Sequence, residues 1–377
     1  MKKLIILASA ILAVAACSKT TVNSEQQAIS FAPNALSTKA LIFPDANSTD
    51  DNLAFPTDEV FNVFAFANVD GNGVNYANPL MNDVEISYHA TTNGGDWKAT
   101  TGTYLWPNAG TVDFYAYYPG TLGAEFVSTD PKGISFPRTG SGTELDPYVP
   151  GVSLGTSIGS QIDPLVASVI SQSAITKPKV GLVFKHITSQ IAVTAFDATE
   201  TASLKGKISI EKVTFKNMKT AGDYTEGTTI GKGTWSNINS NTDFVSFSGS
   251  EVLTATESYL SGGSFSSSIN NSAAFVVIPD NIVTDTAADQ FIEVKYSIAA
   301  YTINDFNYPA TATQTVNIPL YNRVSANKFQ NGKRYVFHIG ITLDGANNEI
   351  MFSPSVSGWE TEDIDGITID AVNHTLI

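Results

Sequence analysis

Phe61-Asn62-Val63-Phe64-Ala65-Phe66 is the stretch that decides the fold class of this chain. Alternate residues of a strand point to opposite faces of a sheet, and here both alternating sets are mainly apolar. With Val60 in front of it, the run has the length of a strand and is shorter than most buried helices. The sequence therefore predicts a strand at residues 60–66 that is apolar on both of its faces.

Residues 112–118 form a second run of this kind, Val-Asp-Phe-Tyr-Ala-Tyr-Tyr, which ends at Pro119. Residues 106–110 in front of it contain Pro, Asn and Gly, which are typical turn residues. The turn predicts that residues 103–105 form the hairpin partner of this strand. Shorter alternating windows follow along the rest of the chain, at residues 180–184, 190–195, 208–215, 274–278, 291–298, 334–341 and 349–352.

These windows predict an all-β fold of two β-sandwich domains, because many short strands separated by turn residues are typical of sandwiches. The alternation stops at residues 197–204. We therefore expect an N-terminal sandwich over residues 40–197 and a C-terminal sandwich over residues 198–359. No apolar repeat of 3.6 residues continues for more than two turns, and residues 164–175 are the best helical candidate.

Two long stretches, residues 120–160 and 222–250, are rich in Gly, Ser, Thr and Asp. We expect both to run over the surface, where binding residues are often found. They are equally consistent with plain connecting loops.

The sole cysteine, Cys17, follows a short apolar segment that begins after Lys2 and Lys3. The segment is too short to span a bilayer, and the order of its parts predicts a signal peptide over residues 1–16. Its end, Val-Ala-Ala-Cys, resembles a bacterial lipobox, which implies cleavage before Cys17 and lipid on that residue. The alternative is an ordinary signal peptide with an incidental cysteine. Without a second cysteine, no disulfide can form within the chain.

The chain carries a formal net charge of -15 at pH 7. It holds three arginines, Arg138, Arg323 and Arg334. Nucleic acid and anionic membrane surfaces bind to clusters of basic residues, so neither is an expected partner.

No motif predicts catalysis, a metal site or a cofactor. Residues 151–155 match the spacing of a nucleophile elbow, but prolines precede the serine where that motif needs a strand. The four histidines lack the spacing of metal ligands, and His186 and His338 are expected to be hydrogen-bonded structural residues. The four tryptophans are expected mostly in cores, although exposed aromatic rings that stack on sugars remain an alternative.

Seven segments resemble, in order, the fimbrillin-like proteins of the Bacteroidetes, which are subunits of type V pili. The segments are residues 61–66, 104–107, 112–119, 182–191, 276–279, 329–335 and 356–359. The resemblance implies two tandem transthyretin-like sandwiches and a structural, adhesive role instead of catalysis. It also implies export as a lipoprotein, proteolytic removal of the lipidated segment with the first strand, and insertion of a neighbour's strand into the groove.

Two stretches match the parts that the resemblance implies. Residues 28–32 are the candidate first strand, within a segment 17–39 that a cut near Lys39 and Ala40 would release. Processing in the best-known members is arginine-specific, whereas this chain has no arginine before Arg138. The alternative is a permanent edge strand.

The tail, residues 360–377, is the candidate donor strand, with Ile367, Ile369 and Val372 as its apolar residues. Exposed strand edges accept added strands through main-chain hydrogen bonds, while alternate side chains select the partner. The alternative is a resident last strand of the second sandwich.

The expected function is that of a fimbrial subunit at the outer membrane and cell surface, supporting adhesion and biofilm formation. Its expected partners are other subunits in a homopolymer or at a tip or anchor, the outer membrane through lipid on Cys17, and a host or bacterial surface ligand. The alternative function is a monomeric surface lipoprotein that binds glycans.

Overall fold

The computed structural model describes residues 27–35, 53–69, 71–92, 94–267, 274–282, 290–303, 305–321, 323–343, 360–370 and 375–376. The prediction of an all-β fold is confirmed. The strands, in chain order, are β1 Phe31–Ala35, β2 Leu53–Ala54, β3 Phe61–Asn68, β4 Met81–Thr91, β5 Gly94–Ala99, β6 Thr111–Tyr118, β7 Glu125–Val127, β8 Gly133–Phe136, β9 Val152–Ser153, β10 Leu165–Ser173, β11 Val180–His186, β12 Ser189–Asp197, β13 Ile208–Thr225, β14 Thr234–Val252, β15 Ser258–Ser261, β16 Ser264–Ser266, β17 Ala274–Val277, β18 Phe291–Ile298, β19 Tyr301–Ile303, β20 Phe306–Tyr308, β21 Gln314–Pro319, β22 Lys333–Thr342, β23 Glu360–Asp370 and β24 Thr375–Leu376. Short 3₁₀ helices span Gly120–Leu122, Ala202–Leu204 and Ser325–Asn327. No helix in these residues is long and apolar enough to cross a membrane.

The first sheet closes on itself. Its strand order is β11-β10-β6-β3-β4-β5-β1-β2, and β1 also pairs with β11. The closing strand is therefore β1, which has β11 along one edge and β5 followed by β2 along the other. The side chains on the inner face form a first core that includes Phe61, Phe114, Leu182 and Phe184. We call these strands and their core the first unit.

Two further sheets enclose a second core. One has the order β16-β15-β12-β22-β23-β24, and the other has the order β21-β18-β13-β8-β7 with β14 and β9 also paired to β13. Residues from both sheets, such as Val193 and Phe337 in the first and Phe215 and Val294 in the second, lie together in this core. We call this pair of sheets the second unit.

A third buried cluster joins the two units. Phe64 and Phe66 of β3 contact this cluster, whereas Phe61, Val63 and Ala65 of the same strand point into the first core. Ala274, Val276, Ile278 and Val336 of the second unit complete the cluster from the other side. The predicted strand with two apolar faces is thus explained, because one face packs inside the first unit and the other against the second.

Residues 164–175 are not helical, because β10 occupies most of them. Leu165 and Ala167 point into the first core, and Val166 points into the junction cluster. The order of apolar residues in a short segment gives no reliable distinction between a buried strand and a helix.

Residues 103–105 are also not the hairpin partner of β6. Leu105 forms a bridge with Ala28, while β6 pairs with β3 and β10. The turn before β6 is held at Gly110, where φ is +85° and an added Cβ would lie 1.9 Å from the carbonyl oxygen of Asn68. The turn therefore packs against the end of β3, which fills the position beside β6.

The two stretches expected as surface loops contribute to the sheets instead. Residues 120–160 contain β7, β8 and β9, and all of β8 is buried. Residues 222–250 contain the end of β13 and most of β14. Small polar residues are common in these stretches, so the sequence pattern does not predict the strands. The strands β8, β9 and β14 pair with β13 through main-chain hydrogen bonds, which do not depend on the side chains.

The chain contributes β7, β8 and β9 to the second unit, returns to the first unit for β10 and β11, and passes finally to the second unit between His186 and Ser189. The alternation predicts β12 as part of the N-terminal sandwich, whereas β12 pairs with β22 from Gln190 to Asp197 and also with β17. Ile191, Val193 and Ala195 lie in the second core. The alternation continues smoothly from β11 through β12, so the pattern of residues contains no sign of this change of sheet.

Candidate functional site

The site with the most unusual architecture is the position of β1. Ile29 and Phe31 are 3% and 2% exposed, and Pro33 is buried beside them, while Ala32 points outward and is exposed. Alternate residues of this short segment therefore fill the first core. We call the space between β5 and β11 that residues 29–33 occupy the strand slot.

Phe31 is the central residue of the slot. Its ring meets Phe61 and Phe114 edge to face, with ring centroids 6.0 Å and 5.7 Å away. Its backbone is paired with Trp97 on one side and with Val180 on the other. Aromatic pairs of this geometry contribute beyond the apolar area that they bury. Phe31 is thus the main anchor of the first strand.

Main-chain hydrogen bonds hold the segment on both sides. The Ile29 amide donates to the Tyr104 carbonyl at 2.8 Å, and the Val180 amide donates to the Ser30 carbonyl at 2.8 Å. Without the segment, β5 and β11 would be facing edges with unpaired donors and acceptors. Neighbouring strands lie about 4.8 Å apart, so two such spacings leave room for one strand.

Charged side chains lie on the outer rim of the slot. Lys179 Nζ is 2.5 Å from Asp96 Oδ1, and Lys98 Nζ is 3.5 Å from Asp96 Oδ2. The hydrogen bond from Lys179 opposes the effect of burial and lowers the pKa of the Asp96 carboxyl. Because Asp96 belongs to β5 and Lys179 directly precedes β11, this ion pair joins the two walls of the slot across β1.

The tail forms a strand at the edge of the second unit. The backbone of β23 pairs in parallel with β22, with Ile367 opposite Ile339 and Ile369 opposite Ile341. A register shift between Phe337 and Ile339 interrupts the pairing. The tail and β1 thus share one property, which is parallel pairing, with β22 for the tail and with β11 for β1.

A cleft of about 420 Å³ lies where β6 and β10 of the first unit meet the β7–β8 turn and the β13–β14 turn. Polar groups line it, among them Tyr76, Asp113, Lys132 and Glu226. The Tyr76 hydroxyl donates to Asp113 Oδ2 at 3.2 Å. Glu226 Oε1 accepts hydrogen bonds from the Tyr224 hydroxyl and the Gly231 amide, both at 3.0 Å. Burial raises the pKa of Glu226 to about 7 despite these bonds.

The histidines in strands have hydrogen-bonded, structural surroundings. His186 Nδ1 lies 2.7 Å from Asp163 Oδ2, and the Thr188 hydroxyl donates to Asp163 Oδ1 at 2.7 Å. His338 contacts Thr194 and Glu257. Among the residues that the structure describes, no group of three or more His, Cys, Asp or Glu is placed to hold a metal ion.

The structure describes only some of the site residues predicted from the sequence. Ile367 and Ile369 lie in β23, while Cys17, Lys39, Ala40 and Val372 lie outside the described residues. The walls of the slot, Trp97 and Val180, were not predicted as site residues. The sequence carried one weak signal for them, since each is an apolar residue next to a lysine in the chain.

These features define a class of protein, an all-β chain in which a separate N-terminal strand closes the first sheet. A family model described as fimbrillin-like matches residues 46–359, and the chain belongs to this family. This membership supports a role as a fimbrial subunit that interacts with other subunits at the cell surface. The family is one of structural subunits, not one of enzymes.

Several solved structures are similar to the chain. A fimbrial protein from Bacteroides vulgatus ATCC 8482 has 16% sequence identity and a TM-score of 0.44, covering 84% of this chain and 96% of that one. A proposed cell adhesion protein from Bacteroides uniformis ATCC 8492 has 16% identity and a TM-score of 0.43, covering 84% and 93%. A fimbrial assembly protein from Parabacteroides distasonis ATCC 8503 has 10% identity and a TM-score of 0.35, covering 83% and 90%. No curated protein matches the chain.

Proposed function

We propose that this chain is a structural subunit of a surface fimbrium, in which subunits are joined by strand exchange. In this mechanism β1 is a temporary occupant of the strand slot. After its removal, the tail of a second copy enters the slot and completes the first sheet. The observation that carries the proposal is the position of β1, a short separate segment whose departure leaves a gap one strand wide between β5 and β11.

The residue patterns of β1 and the tail support this mechanism. Ile29-Ser30-Phe31-Ala32-Pro33 and Ile367-Thr368-Ile369-Asp370-Ala371 both alternate large apolar residues with small or polar ones. With Ile369 at the position of Phe31, every inward residue remains apolar. Alternate side chains of a strand point to the same face, so only a segment with this alternation can enter a position in a sheet that is buried on one face.

Deletion of residues 367–377 from the full chain tests the mechanism. We expect the variant to remain a folded monomer, because β23 lies at one side of the second sheet, and to lose the polymers that resist mild denaturation. The matched control is Thr368→Ser, which retains the apolar face and should still polymerise. Polymers that persist after the deletion contradict donation by the tail, and an unfolded product supports a resident last strand.

Export and processing complete the proposal. A signal peptide over residues 1–16 and lipid on Cys17 would hold the precursor at the outer membrane, and a cut near Lys39 and Ala40 would release β1. The terminal residue of the chain recovered from the cell surface tests this step. A lipidated Cys17 supports an anchored subunit, whereas a free Ala40 supports a subunit of the shaft or tip.

The alternative function, glycan binding by a monomer, is favoured by the cleft at the junction of the units. Its hydroxyl, carboxylate and ammonium groups around Tyr76, Asp113 and Lys132 are donors and acceptors that suit a polyhydroxylated ligand. A glycan array with the full chain and with Tyr76→Ala tests this function. Loss of a wild-type signal in the variant supports it, while equal signals or none oppose it.

A further inference from the structure

We propose that Lys98 and Lys179, on the rim of the strand slot, select the incoming strand by binding a carboxylate on its outer face, namely Asp370 of a second copy. This inference rests on the proposed strand exchange. It adds to that mechanism a determinant of specificity on the outside of the sheet, separate from the apolar residues that fill the core.

The register of the three strands places both lysines beside the same residue of β1. Phe31 is paired with Trp97 and with Val180. One residue earlier in β1 is Ser30, whose neighbours in the same row are Lys98 of antiparallel β5 and Lys179 before parallel β11. Side chains alternate between faces, so this row points away from the core. The two lysines therefore flank the outer surface of whichever strand occupies the slot.

The next outward row contains Ala32, which is paired with Gly181 of β11. Asp96 of β5 lies on the other side of this row, just before the edge of β1 passes from β5 to β2. Asp96 accepts contacts from both lysines, and the Lys179 contact crosses β1 between the two rows. Ser30 and Ala32 are small enough to leave room for this crossing. The rim thus holds two cations and one anion, and the lysine side chains are 41% and 58% exposed.

Among the rim residues that the structure describes, Lys98 and Lys179 share the single carboxylate of Asp96, so one positive charge is in excess. The chain as a whole carries a net charge of -15, so a surplus of positive charge at the slot contrasts with the rest of the molecule. A carboxylate on the outer face of a strand would balance this surplus. Ser30 and Ala32 of β1 carry no charge, so the resident strand does not use it.

The tail carries a carboxylate in the required row. When Ile369 takes the place of Phe31, Thr368 takes the place of Ser30 and Asp370 takes the place of Ala32. Asp370 then lies between Asp96 of β5 and Gly181 of β11, where an added Cβ would meet no atom within 4 Å. The two carboxylates would repel each other without the lysines, so Lys98 and Lys179 are needed to bridge Asp96 and Asp370. The open space above Gly181 leaves room for the carboxylate and for Lys179 to reach it. A shift of one residue would turn Ile369 outward and remove both the apolar fit and this contact.

Charges on an exposed rim contribute modestly to strength and more to the rate and choice of association. The resident strand and an incoming tail would differ most in the charge on their outer faces, because Ser30 and Ala32 are uncharged whereas Asp370 carries a carboxylate. The lysines therefore favour replacement of β1 by a strand with an acidic outer face over any other alternating segment.

Charge reversal in the full chain tests the inference. In Lys98→Glu/Lys179→Glu we expect the ladder of denaturation-resistant polymers to form roughly tenfold more slowly, since two attractions become repulsions. Adding Asp370→Lys to that variant should restore most of the rate. Lys205→Glu/Lys207→Glu changes the net charge equally, away from the slot, and should polymerise like the wild type. Thermal unfolding of each monomer confirms that every variant folds.

Two results would overturn the inference. One is an unchanged rate in Lys98→Glu/Lys179→Glu, and the other is a slow rate that Asp370→Lys does not restore. Both leave strand exchange intact if deletion of residues 367–377 still abolishes polymers. If that deletion has no effect, the proposed function itself fails.

Discussion

Replacing Phe31 with alanine should lower the free energy of unfolding of the first unit by about 4 kcal/mol. Phe31 is 2% exposed and contacts Phe61 and Phe114 edge to face. Removal of a buried phenylalanine ring costs about 3–5 kcal/mol, and the loss of two aromatic contacts places this residue within the upper part of that range. The two contacting rings belong to different strands, β3 and β6, which are held in place by their own pairing, so the cavity cannot close easily.

Guanidinium unfolding of the full chain, followed by tryptophan fluorescence, measures this effect. Trp97 pairs with Phe31 directly, and the ring of Trp106 lies 5.8 Å from that of Phe114, so both report on the slot. The matched control is Phe306→Ala. Phe306 is 70% exposed, and its removal should change the free energy by less than about 0.5 kcal/mol.

A loss below about 1 kcal/mol in Phe31→Ala would refute the reasoning, because the ring could not then be an anchor in the first core. The same substitution should also speed polymer formation. It weakens the resident strand and leaves the tail unchanged, so the balance between the two shifts toward the tail. Slower polymer formation by a folded Phe31→Ala monomer would contradict the role of β1 as a temporary occupant.

Three further predictions concern stability. The pKa of Glu226 is raised to about 7 in the folded chain, so folding takes up a proton and stability is lost as the pH rises through that value. The free energy of unfolding should therefore decrease by about 2 kcal/mol from pH 5 to pH 8. The variant Glu226→Gln should not show this decrease. Gly110→Ala should lower the free energy of unfolding, measured by chemical denaturation, by more than about 2 kcal/mol, and Gly102→Ala by about 1 kcal/mol. Both glycines have positive φ, but only at Gly110 would an added Cβ meet backbone atoms within 4 Å. Equal losses in the two variants would count against this close approach. Asp163→Ala should lower the free energy of unfolding by about 3 kcal/mol, because the His186 and Thr188 side chains lose their buried acceptor. Thermal unfolding measures this effect, and a loss under about 1 kcal/mol would contradict the role of Asp163.

The fold class could be predicted from the sequence because a strand with a buried face shows apolar side chains at every second residue, a pattern visible within a few residues. The run at residues 61–66 is an example, since one alternating set of its apolar side chains is buried in the first core and the other apolar set is buried in the cluster between the units. The boundary between the two units was harder to predict, because β12 has the same alternation as β11 and only its pairing with β22 assigns it to the second unit.

The candidate site was predictable only in part. Residues 28–32 and the tail could be recognised by their alternation, but their neighbours could not. Phe31 pairs with Val180, far along the chain, and no local pattern encodes a pairing at that distance. The same limit hid β7, β8 and β9, whose backbones pair with other strands despite their small polar residues. Long-range pairing depends on the whole fold, whereas alternation depends only on neighbouring residues.

A disulfide formed between two copies of the chain tests strand exchange most directly. Gly181 is paired with Ala32, the position that Asp370 would take, and paired strand residues are close enough for a disulfide. Cells should express two chains together, one with Gly181→Cys and the other with Asp370→Cys, alongside Val183→Cys with Asp370→Cys as the displaced control. Strand exchange predicts an oxidised dimer in which mass spectrometry identifies the bond between positions 181 and 370. Polymers that form without this bond, while the displaced pair links equally well, would contradict the account.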